Sequence, residues 1–141
     1  MKGYTFLEDL TSDVMFEAKG STLQEVLETS AKAMFSVICD IKQIKPEKQL
    51  NINIQAENEE KLLYEFLSTL LTESEIEGLF LKLFNIKGIQ KKGNEYSLQA
   101  EAFGEPLSPE KGGTVVKGIT YYGLKLEKIK KGYKARVAMD I

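Results

Sequence analysis

With 141 residues, 43% hydrophobic and 28% charged, the chain is long enough for one domain whose core needs no disulfide or metal staple. A formal net charge of −2 gives no footprint for stable nucleic-acid binding by the chain alone, and no apolar run is long enough for a membrane span. The absence of histidine excludes a His-based catalytic triad and any His-containing zinc site, and the single cysteine excludes an intrachain disulfide.

The first twenty residues carry Glu8, Asp9 and Asp13 and lack an apolar run before a small-residue cleavage site, so no signal peptide is expected. Together with the lone cysteine this fits a cytoplasmic protein. Val14, Phe16 and Ala18 then alternate as a half-buried strand, with Asp13 at its start. Ser21-Thr22-Leu23-Gln24 reads as a capping box with Ser21 as N-cap and Gln24 reaching back. Leu23, Val26, Leu27, Ala31, Met34, Phe35 and Ile38 follow at helical spacing, which predicts a helix over about 22–38. Cys39, at the end of this pattern, reads as a buried small hydrophobe rather than a nucleophile.

Leu50, Ile52, Ile54 and Ala56 alternate with polar residues as a two-sided strand. Asn58 caps a second helix, with Glu59 and Glu60 in its first turn and Leu62, Leu63, Phe66, Leu67, Leu70 and Leu71 as its buried stripe. Residues 79–87 are apolar on both faces and read as a central strand. Lys91-Lys92-Gly93-Asn94 forms a hairpin turn into an alternating strand over 96–103. "GEPLSPEKGG", Gly104 to Gly113, is long for a link between adjacent strands, and its prolines suit either a shaped loop or a solvated one. A strand over 114–127, which Gly118 and Gly123 could bend or bulge, turns at Lys130-Lys131-Gly132 into a last strand over 133–140. The order β-α-β-α-β-β-β-β indicates an α+β fold with two helices packed on a largely antiparallel β-sheet, in a single domain spanning 1–141.

Only four aspartates occur, Asp9, Asp13, Asp40 and Asp140. Asp13 begins the first of these strands and Asp140 ends the last. If the terminal strands are antiparallel neighbours, the two carboxylates share one corner, where repulsion favours a proton or a hard cation between them. Ile141 adds a backbone carbonyl and, if it is the true C-terminus, a free carboxylate. The bland alternative makes Asp13 a turn residue and Asp140 a frayed end. With no histidine and one cysteine, the donors left for a metal are oxygens, which suit calcium or magnesium rather than zinc or copper.

Four segments, "GYTFLEDLTSDVMFEAKGSTLQEVLETSAKAMF", "AFGEPLSPEK", "VVKGITYYGLKLE" and "ARVAMDI", resemble the archease family in order and spacing across essentially the whole chain. The resemblance implies a small cytoplasmic protein without enzyme activity of its own, the protein cofactor of the GTP-dependent tRNA-splicing RNA ligase. It implies that this cofactor promotes guanylylation of the ligase and its multiple turnover. It also implies a divalent-metal site, usually assigned to calcium, with Asp13, Asp140 and the terminal Ile141 at the matching positions. Lys117 matches a family lysine and is a candidate contact to the ligase or to nucleotide phosphate, with a solvated strand lysine as the alternative. Glu105, in the kept Gly104-Glu105-Pro106 triplet, is a second candidate contact, expected to be exposed. The chain departs from the family at Leu10 and Tyr122, where histidines are common, and at Ser108, where an acid is common.

Two rival functions remain open at this point. A metal-dependent phosphodiester hydrolase would use Asp13 and Asp140 to position a water. A general RNA-binding or chaperone module would use the lysines at 87, 91, 92, 128, 130 and 131, which otherwise read as solvated turns.

Overall fold

A computed structural model describes residues 2–7 and 13–141. In chain order the elements are β1 (Gly3–Leu7), β2 (Asp13–Gly20), α1 (Leu23–Ile38), β3 (Lys48–Ala56), α2 (Glu59–Glu77), β4 (Leu79–Lys92), β5 (Glu95–Pro106), β6 (Gly118–Ile129) and β7 (Gly132–Asp140). Short 3-10 turns lie at Ile41–Gln43 and Pro109–Lys111. The α+β class is as expected, with every strand pairing among these elements antiparallel. The strands divide into two sheets, ordered β1-β2-β7-β6 and β3-β5-β4.

The helices join the two sheets. Helix α1 touches β2 and β7 on one side and β4 on the other, while α2 touches β6 as well as β3 and β4. Their burial patterns follow from this. Helix α1 buries Val26, Leu27, Thr29, Ser30, Ala31, Ala33, Met34 and Phe35, a face wide enough for two neighbours. Helix α2 buries a narrower stripe, from Leu62 to Ser74 at intervals of three and four residues. Phe16, Phe35 and Phe66 are fully buried at the centre of the core.

Three local expectations are corrected. The N-cap of α1 is Thr22, whose hydroxyl accepts from the Glu25 amide at 3.1 Å, and it is Glu25 that reaches back to accept from the Ser21 amide at 2.8 Å. The capping box is therefore shifted by one residue from Ser21 and Gln24. Strand β1 was not anticipated; it pairs with β2 and lays Tyr4 and Phe6 toward Phe16, with the Phe6 and Phe16 rings edge-on at 6.3 Å. The strand expected from 114 begins at Gly118, because the Gly113 and Thr114 amides donate to the Ile38 and Val37 carbonyls of α1. Other expectations hold in detail. Asn58 caps α2 by accepting from the Lys61 amide at 2.8 Å, and Gly93, at φ 61°, makes the β4–β5 turn. Gly123, at φ 82°, sits where β6 loses register with β7 between Thr120 and Lys125.

Candidate metal corner and its flanking loop

The register between β2 and β7 pairs Asp13 directly with Asp140. Directly opposed residues of an antiparallel pair project from the same face, with Cβ atoms roughly 4.5–5.5 Å apart. The next residue across, on β6, is Gly118, and a Cβ there would meet nothing within 4 Å. Two carboxylates thus stand side by side at a sheet corner with open space beside them. Neither is joined to a cation by an ion pair among the described residues. Like charges directly opposed across a sheet are destabilising.

The corner is tethered on both sides. The Lys117 amide donates to the Asp140 carbonyl at 2.7 Å, and Ile141 packs partly buried against the core. A frayed end does not describe Asp140. The donor chemistry fits a hard, oxygen-seeking cation, since two carboxylates are in register and the Ile141 carbonyl follows in the chain. No group of three His, Cys, Asp or Glu side chains arranged to hold a metal occurs among the described residues. Calcium takes roughly six to eight oxygens, so this donor set forms only part of a shell. Glu8, Asp9 and the position of the missing family histidine, Leu10, lie outside the described residues.

Lys117 is exposed and adjoins this corner. Glu105 is different. Its side chain retains 13% of its exposure, and one oxygen accepts from the Lys45 amide at 2.6 Å. The Lys111 ammonium donates to both its oxygens at 3.0 Å. The Lys45 amide, and after it Lys111, hold the Glu105 carboxyl below the usual glutamate value. The expectation of an exposed contact residue is therefore corrected. Glu105 is a brace between β5, the chain before β3 and the 3-10 turn, and three hydrogen bonds from within the protein occupy most of its acceptor capacity.

The same loop is fastened along its length. The Leu107 amide donates to Gly78, Asp40 to Lys111, Gly113 to Ile38 and Thr114 to Val37, at 2.8–3.0 Å. Backbone bonding to the ends of α1 and α2, more than the prolines, gives this loop its shape. Gly113 has no room for a side chain: a Cβ would lie 2.5 Å from the Val37 carbonyl oxygen. The partners Lys45 and Lys111 were missed from the sequence. The Gly112-Gly113 doublet was the available signal of a close backbone approach.

At Tyr121 and Tyr122 the bulge in β6 brings the Tyr121 ring against Tyr64 of α2, with centroids 4.5 Å apart, and leaves Tyr122 83% exposed. Desolvation first, then Tyr64 and the acids Glu65 and Glu60, push the Tyr121 phenol up. Burial likewise pushes the Cys39 thiol up to about 12, consistent with an inert thiol. The hairpin lysines lie across neighbours: Lys87 is 3.7 Å from Glu101, and Lys91 and Lys128 sit over Tyr96 and Tyr133. Lys87, Lys91 and Lys128 are therefore exposed strand lysines of β4 and β6 rather than turn residues.

The archease protein family model matches residues 4–141. A Methanosarcina mazei protein named archease is 38% identical over 99% of this chain and 97% of its own length. A Pyrococcus furiosus protein of the same name is 37% identical over 93% of this chain and 94% of its own. The solution structure of protein 1598 from Methanobacterium thermoautotrophicum superposes with a TM-score of 0.87 at 33% identity, over the whole of both chains. The crystal structure of a Thermotoga maritima protein described as an archease and possible chaperone shares the fold, with a TM-score of 0.61 at 20% identity over 96% of this chain and 95% of that one.

Proposed function

Because this chain belongs to the archease family, we propose that it is the accessory protein of a GTP-dependent tRNA-splicing RNA ligase, promoting guanylylation of that ligase and its repeated turnover. The observation that carries this reading is the direct pairing of Asp13 with Asp140 beside Lys117. Two opposed carboxylates with no internal counter-charge among the described residues give the corner a use for an external cation. Calcium, or another hard divalent ion, held by Asp13, Asp140 and the Ile141 carbonyl would neutralise them and keep positions open to oxygens of a partner or its nucleotide.

The chain's own residues supply position and charge. Strands β2 and β7 fix the spacing of the carboxylates through their ladder. The tether from the Lys117 amide to the Asp140 carbonyl keeps an exposed ammonium in the segment that enters the corner. Lys117 then contacts the ligase or a phosphate group as a flexible point charge. In this reading the protein is not itself an enzyme and acts in the cytoplasm with a protein partner. No helix among the described residues is long and apolar enough to cross a membrane.

The test is ligation of RNA with 2′,3′-cyclic-phosphate and 5′-hydroxyl ends by substoichiometric cognate ligase, with and without this protein. Multiple turnovers only in its presence are expected. A ligase that turns over equally well alone overturns the assignment. Hydrolysis of a phosphodiester by the pure protein with Mg²⁺, Ca²⁺ or Mn²⁺, lost in Asp13→Ala, would establish the hydrolase instead.

A further inference from the structure

Strand β3 is an edge of the three-stranded sheet, with β5 as its single neighbour, and its register runs unbroken from Lys48 to Ala56. An antiparallel edge strand turns every second amide and carbonyl away from that neighbour. On two other edge strands, helix carboxylates take up a backbone amide. The Ile86 amide of β4 donates to Glu28 of α1 at 2.7 Å, and the Leu126 amide of β6 donates to Glu60 of α2 at 3.3 Å. Among the described residues, no group outside β5 bonds to the backbone of Lys48–Ala56. From Gln49 to Ala56 the strand also lacks any charge, proline or glycine that would discourage pairing.

The sequence of this edge is nearly its own reverse. Gln49-Leu50-Asn51-Ile52-Asn53-Ile54-Gln55 reads alike in both directions, save that Leu50 and Ile54 exchange. Two copies paired antiparallel about a two-fold axis at Ile52 set Asn51 opposite Asn53, Gln49 opposite Gln55 and Leu50 opposite Ile54 of the second copy. Directly opposed residues share a face. Carboxamides therefore meet on the face where Gln49, Asn51, Asn53 and Gln55 are exposed, and aliphatics meet where Leu50, Ile52 and Ile54 are buried. A carboxamide carries donors and an acceptor, so each can pair with its like. Lys48, the one charge on the strand, falls opposite Ala56, so no like charges oppose each other. A slip of one residue would set amides against aliphatics along the whole edge.

We propose that β3 is a self-recognition edge at which two copies of this chain join into a six-stranded sheet, ordered β4-β5-β3-β3-β5-β4. The partner is a second copy rather than an unrelated segment. A two-fold contact needs a strand complementary to its own reverse, and this strand is. The contact is isologous and closed, since each copy uses its β3 edge and pairing stops at two. Asp13 and Asp140 lie in the other sheet, so the pairing does not draw on the metal corner or on the ligase.

Sedimentation equilibrium of the full chain over a concentration series reads the pairing, and amide hydrogen exchange locates it. The mass should rise from one chain to two and no further. Alternate amides between Gln49 and Gln55 should exchange more slowly as concentration rises. Asn51→Lys combined with Asn53→Lys sets two like-charged pairs across the axis, and Asn51→Glu combined with Asn53→Glu does so with the opposite sign. Each double variant should raise the dimer dissociation constant about tenfold. Both positions are exposed, so cooperative thermal unfolding should survive. Mixing the two variants should restore dimers with opposite charges across the axis, a rescue that misfolding cannot produce. A chain monomeric at every concentration, indifference to both double variants, no rescue on mixing, slowed exchange only outside β3, or growth beyond two copies would overturn the proposal.

Discussion

Glu105 lies near the end of β5 and Asp140 at the end of β7, in different sheets, and the fold treats them in opposite ways. Glu105 receives an amide and an ammonium from within the protein, so its charge is spent on holding the Gly104–Gly113 loop. Asp140 receives another carboxylate, Asp13, directly across the sheet. An internally satisfied acid is a brace, and opposed acids without a counter-charge leave a need that something external can fill. The contrast separates a structural carboxylate from candidate functional ones more sharply than their exposure does.

The contrast is broken most severely at the corner itself. Replacing both Asp13 and Asp140 by Ala should abolish calcium binding in calorimetry and ligase activation with it. Either single replacement should cost about tenfold in affinity, about 1.4 kcal/mol, and Asp→Asn less, since an oxygen donor survives. Folding should not suffer, because a like-charge pair is removed. A double variant that binds calcium like the parent would reduce the corner to an accident of register.

Gly113→Ala tests the loop side. Its methyl would press on the Val37 carbonyl, and the resulting shift should cost about 1–3 kcal/mol in urea unfolding. Calcium binding should be unchanged. A fully stable variant would mean that the loop's bonds to α1 contribute little.

A smaller effect is expected of Glu105→Gln, which keeps shape and removes charge. Because the folded Glu105 carboxyl is held below its ordinary value, its contribution is complete above the unfolded glutamate pKa of about 4.3. It is lost as pH falls through the depressed folded value. The variant's deficit in urea midpoint should therefore be present at neutral pH and vanish in strong acid. A deficit that grows on acidification would contradict the brace. Smallest of all, Lys117→Ala should move stability by no more than about 0.5 kcal/mol while lowering ligase activation. Normal activation would return Lys117 to the role of a solvated lysine.

Much of this was legible in the sequence wherever period and turn chemistry act locally. The alternation of Leu50, Ile52, Ile54 and Ala56 gives β3, Asn58 caps α2, and Gly93-Asn94 turns β4 into β5. Strand β1 escaped because only Tyr4 and Phe6 alternate, too short a pattern to separate from coil. The Ser21-Thr22 doublet offers two caps one residue apart, and the carboxylate of Glu25, three residues after Thr22, goes with the second of them. Val115 and Val116 favour a strand by composition, yet the amides just before them are claimed by α1. The aspartates could be named as candidates, but strand pairing across more than a hundred residues is a tertiary fact. The role of Glu105 hung on Lys45, sixty residues away.

The loss of register in β6 has a consequence for life at high concentration. Strands β1 and β6 are the two rims of the four-stranded sheet, where unpaired amides and carbonyls could template a neighbouring chain. Strand β1 is only five residues long, and β6 is broken between Thr120 and Lys125. In the three-stranded sheet, the rim strand β4 shifts register twice and carries lysines at 82, 87, 91 and 92. A foreign strand laid along any of these rims finds an aligned ladder for only a few residues before it slips. These three rims hinder edge-to-edge growth, which leaves β3, nine residues in unbroken register with β5, as the edge from which a fibril would begin.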